Sequence, residues 1–177
     1  MLSRLKMSEI ETQVFGIRKE HSLNRLRQCA REKDVELPEV IFEGIVTTIF
    51  YKKEIVEDGI IMRLRTEDNG KGTRNILTII KLMESSHVNI LECQEENLVI
   101  MNLAQASRFI KLMGYVEWGS SVKNRKCWLY NGARLNFDRI GDGDEWLRIE
   151  TADRRRLDGV LEDLGYTLEQ CSINAKE

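Results

Sequence analysis

The sequence is poor in the residues that interrupt or cross-link a chain. It has one proline in 177 residues, and its four cysteines are scattered without a C-x-x-C spacing. That spacing would indicate a zinc site or a redox motif. Because it is absent, we expect four reduced thiols and a cytoplasmic location. The sequence also has no apolar run long enough to span a membrane, and residues 1–11 lack the apolar core of a signal peptide.

An excess of charge of either sign is absent as well. The 27 basic and 29 acidic residues give a net charge of −2. This balance gives no whole-molecule reason to expect nucleic acid or an anionic membrane as a partner. No linker or low-complexity tract divides the chain, and its length suits one domain with its own core. We therefore expect a single domain over residues 1–177.

Three successive strands are predicted in the C-terminal half, at residues 122–130, 133–140 and 146–150. The first two flank Asn131 and Gly132, a pair that accepts the positive φ angles of a tight hairpin turn. Alternating apolar residues predict further strands at 9–17, 40–53, 60–66, 75–81 and 87–94. Helical spacing of apolar residues predicts amphipathic helices at 18–33, 103–113 and 152–164.

Ionisable residues of both signs recur at alternate positions of these strands. Residues two apart point to the same face of a strand, so the charges gather on one surface of the sheet. They face either water or the lumen of a closed barrel. Three amphipathic helices need an apolar sheet face to cover, and this favours a barrel with the charges inside. The charges in question are Glu9, Glu11, Arg63, Arg65, Lys81, Glu92, Lys123, Arg125, Asp138, Arg148 and Glu150.

Several short motifs recur along these strands in a fixed order: Glu9-x-Glu11, Arg63-Leu64-Arg65, the strand ending at Lys81, Lys123-Asn124-Arg125, Asp138 and the strand Trp146 to Glu150. Their order and spacing resemble the CYTH superfamily, the triphosphate tunnel metalloenzymes, and the chain length is similar to that of its class IV adenylyl cyclases. The resemblance extends from about Glu9 to Gly165. It implies an α+β fold in which an eight-stranded antiparallel barrel carries amphipathic helices on its outside. It also implies binding of a triphosphate, such as ATP, thiamine triphosphate or tripolyphosphate, together with Mg²⁺ or Mn²⁺, in a protein that is a monomer or a homodimer.

The resemblance assigns roles to individual residues but names no catalytic residue. The phosphate-binding residues would be Arg63, Arg65, Lys81, Lys123 and Arg125, the metal ligands Glu9, Glu11 and Glu150, and the supporting carboxylates Asp138 and Glu92. These residue types suit the chemistry: arginine binds phosphate oxygens in a bidentate manner, and hard divalent cations prefer carboxylate oxygen.

Three positions depart from the family pattern. Gln13 stands where the family has a lysine, Arg148 stands where it has a carboxylate, and Gln94 stands where a second acid is common beside Glu92. A cation at a metal-ligand position opposes metal binding. Three hypotheses therefore remain open: a metal-dependent cyclase or phosphohydrolase, a catalytically impaired triphosphate-binding protein, and a β-rich domain without a ligand.

Overall fold

The computed structural model describes residues 8–53, 59–85 and 87–173, with eight strands and three α-helices. The strands are β1 Ser8–Val14, β2 Glu39–Lys53, β3 Ile60–Asp68, β4 Thr73–Leu82, β5 Leu91–Ile100, β6 Tyr115–Tyr130, β7 Ala133–Arg139 and β8 Trp146–Thr151. The helices are α1 Lys19–Glu32, α2 Leu103–Leu112 and α3 Arg154–Leu164, followed by a 3₁₀ turn at Leu168–Gln170.

The eight strands form a closed antiparallel barrel in the order β1-β5-β4-β3-β2-β6-β7-β8. β1 closes it, pairing with β5 on one side and with β8 on the other. The predicted fold class is confirmed. Closure matters for the site because it turns the inner face of every strand toward one enclosed space.

The main hydrophobic core lies outside the barrel wall, beneath α1 and α3. The outward side chains of β7 and β8 pack there against both helices, and the fully buried members include Leu23, Leu26, Leu135, Phe137, Leu147, Ile149 and Leu157. A smaller cluster beneath α2 joins Met62 and Leu64 of β3 to Ile110. The apolar side chains of these alternating strands therefore pack against the helices outside the barrel, and the polar side chains face the lumen.

The β6–β7 hairpin forms as predicted. Asn131 and Gly132 adopt φ angles of 48° and 70°. The tight turn fixes a register in which Arg125 lies directly opposite Asp138. The helix boundaries also agree closely, and Gly165 ends α3 in the left-handed conformation with φ 76°.

Two strands have boundaries that differ from the predicted ones. The strand predicted at 87–94 is β5, which begins at Leu91 and ends at Ile100. Its second half contains the polar run from Glu95 to Asn97, which weakens the apolar alternation that indicates a strand. β6 also begins seven residues earlier than the predicted start at 122, at Tyr115.

The N-cap of α3 is Asp153, whose side chain accepts a hydrogen bond from the Arg156 amide, and Thr151 before it belongs to β8.

Within the described ranges, no helix combines the length and the apolar character that a membrane span requires.

Candidate functional site in the barrel lumen

The strand register determines which charges share the lumen. Directly paired residues of antiparallel strands point to the same face, and the pairs Glu11–Glu150, Arg148–Asn136 and Asp138–Arg125 connect β1, β8, β7 and β6. Continued around the barrel, the register places these charged side chains on the inner face: Glu9, Glu11, Arg63, Arg65, Glu67, Arg74, Glu95, Lys123, Arg125, Arg134, Asp138, Arg148 and Glu150.

Several cations gather around the carboxylate of Asp138 in one part of the lumen, here called the basic side. The Asp138 side chain has no solvent exposure and accepts two hydrogen bonds of 2.6 Å from Arg125, through Nε and a terminal nitrogen. Lys123 Nζ lies 3.4 Å from Asp138 Oδ2, and a terminal nitrogen of Arg148 lies 4.0 Å from the same oxygen. Burial alone would raise the pKa of Asp138, but the Arg125 hydrogen bonds and the three nearby cations together lower it.

Arg63 and Arg65 on β3 complete the basic side. A terminal nitrogen of Arg63 donates to Glu95 at 2.7 Å, and Arg65 Nε lies 3.1 Å from Glu67 Oε1. Burial, followed by the charge of Arg63, lowers the pKa of Arg65 to about 10. The cations are therefore close enough to repel one another, which an added anion would relieve.

The basic side encloses a small cavity, here called the basic cavity, of about 10 Å³. Its lining consists of Val46, Thr48, Phe50, Arg63, Arg65, Lys123, Arg125 and Arg148, so five of its eight residues are cations. A wider opening of about 250 Å³, here called the tunnel mouth, shares Arg65 and Arg125 with it. Arg74 and Arg134 add further positive charge at the mouth, beside Glu67 and Glu150.

Two of the buried side-chain donors beside these spaces have no hydrogen-bond acceptor in the described part of the chain. Arg63 Nε lines the basic cavity and Asn136 Nδ2 the mouth, and neither has a hydrogen-bond acceptor within the described part of the chain. Buried donors without an acceptor cost free energy unless a bound molecule or water supplies one. Both atoms are therefore suited to an anionic ligand.

The acidic side of the lumen lies on β1, β5 and β8. Burial, then the charges of Glu150, Glu95 and Glu11, raises the pKa of Glu9 to about 8. Burial also raises the pKa of Glu11, although Arg148 opposes that effect. For Glu150, the surrounding arginines, Arg148 first, outweigh burial and hold its pKa at about 2. Negative charge is thus crowded around Glu9.

Two of the predicted site residues do not reach the lumen. The β3–β4 register pairs Arg63 with Thr78, and Lys81 with Ile60, so Lys81 projects from the outer face and is exposed. Glu92 pairs with Ile10, opposite in parity to Glu9 and Glu11, and also lies on the outer face. The expectation that Lys81 and Glu92 share the charged lumen was wrong. Hairpin loop length sets the parity of a strand relative to its neighbour, and the alternation within each strand does not reveal it.

The structure adds lumen residues that the sequence analysis missed. Arg134 precedes Asn136 and Asp138 on the same face of β7, so strict alternation would have found it. Arg74 and Glu67 pair directly across the β3–β4 hairpin, and this becomes visible only with the register. The sequence analysis missed Glu95 because the strand predicted at 87–94 ends one residue before it.

The carboxylates do not form the predicted three-residue metal site. Arg148 lies 3.6 Å from Glu11 and 3.1 Å from Glu150, two of the three expected metal ligands. Over the described ranges, no three His, Cys, Asp or Glu side chains are grouped so as to hold one metal ion. A guanidinium already occupies the position between these acids, so this set does not fit a Mg²⁺ or Mn²⁺ site built from all three.

Solved structures with the same fold were found over nearly the whole chain. A conserved hypothetical protein from Pyrococcus furiosus matches with a TM-score of 0.72 at 20% identity, covering 95% of this chain and 97% of its own. A candidate adenylate cyclase from Vibrio parahaemolyticus matches with a TM-score of 0.71 at 16% identity, covering 97% of each chain. A candidate adenylyl cyclase from Hippeastrum, described as having a dominant triphosphatase activity, matches with a TM-score of 0.57 at 13% identity, covering 96% of this chain and 92% of its own.

No protein-family model matches the sequence, and no curated protein matches it. Because the identities are low, these matches show a shared fold and no more. In this protein that fold is a closed eight-stranded antiparallel barrel.

Proposed function

We propose that the barrel lumen binds a triphosphate-containing small molecule, such as ATP, thiamine triphosphate or tripolyphosphate. The observation that carries the proposal is the basic cavity, which five cations from β3, β6 and β8 line together. Three linked phosphates concentrate negative charge and need several cations on rigid elements. Arg63, Arg65, Lys123 and Arg125 are the predicted phosphate ligands that meet this requirement.

Ligand entry would exchange ion-pair partners within the lumen. The basic cavity is only about 10 Å³, so a triphosphate would enter from the tunnel mouth and displace side chains. The pairs Arg63–Glu95 and Arg65–Glu67 are the ones to open, because each uses a separate acid. The bidentate Arg125–Asp138 pair would stay closed and hold Arg125 in place.

A second candidate is metal-dependent processing of the bound triphosphate, as in an adenylyl cyclase-like or triphosphatase-like enzyme. The favouring observation is the crowding of acids that raises the pKa of Glu9 to about 8. Mg²⁺ held between phosphates needs only one or two protein carboxylates, so Glu9 would be the first ligand to test. A cyclase would yield cyclic AMP and pyrophosphate from ATP, and a triphosphatase would release orthophosphate.

The experiment combines a binding and a product measurement on the full chain. Tripolyphosphate, ATP, thiamine triphosphate and orthophosphate are titrated calorimetrically, and the first three are then incubated with Mg²⁺ or Mn²⁺ and assayed for products. We expect the triphosphates to bind and orthophosphate to bind far more weakly, since it can engage fewer of the cations. Equal, weak heats for all four ligands would contradict the proposal. Binding without products would eliminate the second candidate.

A further inference from the structure

Arg148 is a buried cation held among carboxylates from three strands. Its side chain is about 6% exposed and lies on the inner face of β8, between Gln13 of β1 and Asn136 of β7. Its Nε is 3.1 Å from Glu150, one terminal nitrogen is 3.6 Å from Glu11, and the other is 4.0 Å from Asp138. Each nitrogen of the guanidinium therefore faces a different carboxylate.

This placement meets a requirement that a bound metal would otherwise meet. Buried carboxylates that face one another need a positive charge between them, since each is costly to ionise without compensation. Glu11 and Glu150 lie directly opposite each other on β1 and β8, and carboxylate oxygens are the ligands that a hard divalent cation prefers. Here a guanidinium lies beside both acids instead, and it is permanently charged and cannot be lost to a chelator.

Arg148 also belongs to the phosphate side of the lumen. It lines the basic cavity together with Arg63, Arg65, Lys123 and Arg125. The same side chain therefore compensates the acids on one side and contributes positive potential to the cavity on the other. A metal bridging carboxylates and phosphates would have the same two effects.

We propose that Arg148 is a built-in cation that takes the place of a divalent metal, so that the tunnel recognises a triphosphate without Mg²⁺ or Mn²⁺. This inference rests on the proposed function for its ligand. Its electrostatic part concerns Glu11, Glu150 and Asp138 alone and can be measured without any phosphate.

The first test is the affinity of the wild-type protein for tripolyphosphate in the presence of EDTA and in the presence of excess Mg²⁺. We expect the dissociation constant in EDTA to be no more than about threefold larger than in Mg²⁺, well under the tenfold change that equals 1.4 kcal/mol. A loss of more than about tenfold in EDTA would overturn the inference.

The second test asks whether removing the cation creates a metal site. Arg148→Gln keeps a polar but shorter side chain and removes the guanidinium from beside Glu11 and Glu150, while Arg125 and Lys123 still compensate Asp138. We expect this variant to bind Mn²⁺ at least about tenfold more tightly than the wild type, measured by electron paramagnetic resonance of the free ion with no phosphate present. Arg148→Lys retains the charge and should bind no more Mn²⁺ than the wild type.

The two tests separate the inference from the proposed function. Failure of every triphosphate to bind would reject the proposed function, while the Mn²⁺ titration would still decide the role of Arg148. Equal Mn²⁺ binding by wild type and Arg148→Gln, with both proteins shown to be folded by circular dichroism, would overturn the role of Arg148. Should Arg148→Gln not fold, Glu150→Gln in the wild-type background supplies the decision: it should not reduce Mn²⁺ binding, and a reduction would contradict the inference.

Discussion

Two carboxyl groups of the same lumen, Asp138 and Glu9, meet opposite surroundings. Both are largely removed from water, which by itself raises the pKa of a carboxyl group. Around Asp138, Arg125, Arg148 and Lys123 overcome that effect and lower its pKa. Around Glu9, the nearby acids add to it, and its pKa rises to about 8. The lumen is thus divided into the basic side, where cations compensate the buried Asp138, and the acidic side on β1, β5 and β8, where negative charge is in excess around Glu9.

The charged residues of the lumen therefore have two different functions. Asp138 has a structural function, because it positions cations, and the cations themselves have a binding function. Asp138 contacts three cations of the basic cavity, and the other two, Arg63 and Arg65, each pair with a separate acid. Arg148 joins the two sides, because it contacts Asp138 on one and Glu11 on the other. An anion would therefore enter a cavity whose cations are already arranged.

We expect the largest effect from Asp138→Asn, which removes the carboxylate that contacts Arg125, Lys123 and Arg148 on the basic side. Breaking a buried ion pair by removing one partner costs about 3–5 kcal/mol, because the remaining charges are left uncompensated. We expect a loss of that size in the free energy of unfolding, measured by urea denaturation at pH 7. Tripolyphosphate should restore part of it by supplying negative charge to the same cations.

The matched control for this change is Asp142→Asn, in the exposed turn between β7 and β8. It should alter the free energy of unfolding by less than about 0.5 kcal/mol. An Asp138→Asn protein as stable as the wild type would show that the three cations do not depend on that carboxylate.

The next effect concerns ligand binding and compares Lys123 with Lys81. Lys123→Met removes a cation from the basic cavity while keeping the length of the side chain, and should weaken tripolyphosphate binding by about 2 kcal/mol, roughly thirtyfold. Lys81→Met makes the same chemical change on the outer face of β4, and the affinity should not change. Isothermal titration calorimetry measures both. Equal losses in the two variants would place the binding surface outside the lumen.

The smallest effect is a pH dependence at Glu9. A carboxyl group whose pKa is raised from 4.5 to about 8 on folding favours the native state while protonated, and this contribution disappears as the pH rises through about 8. Glu9→Gln stays neutral throughout. Relative to the wild type, it should therefore gain more than about 1.4 kcal/mol of stability between pH 5 and pH 9, since one pKa unit is worth that amount.

The comparison uses melting curves of the two proteins across that pH range. Glu96→Gln, on the exposed outer face of β5, is the control and should follow the wild type at every pH. A constant difference between Glu9→Gln and wild type would mean that Glu9 is already ionised at neutral pH.

The sequence could predict the strands and helices of the barrel because the relevant signals are local. The Asn131-Gly132 turn, the helical stripes and the alternation along each strand depend on neighbouring residues only, and they indicated eight strands and three helices. The face on which a residue lies depends on pairing with a distant strand. Lys81 and Glu92 were therefore assigned to the wrong face, while Arg63, Lys123 and Asp138 were placed on the correct one. The contacts of Arg148 with three acids depend on closure of β1 onto β8, and no local pattern contains that information.

The most direct test of the central claim is a crystal structure of the protein grown with tripolyphosphate and Mn²⁺, with anomalous data to locate manganese. The account predicts triphosphate density among Arg63, Arg65, Lys123 and Arg125, with no manganese between Glu11 and Glu150, where Arg148 lies. Triphosphate bound outside the barrel, or manganese between those two carboxylates with Arg148 displaced, would contradict it.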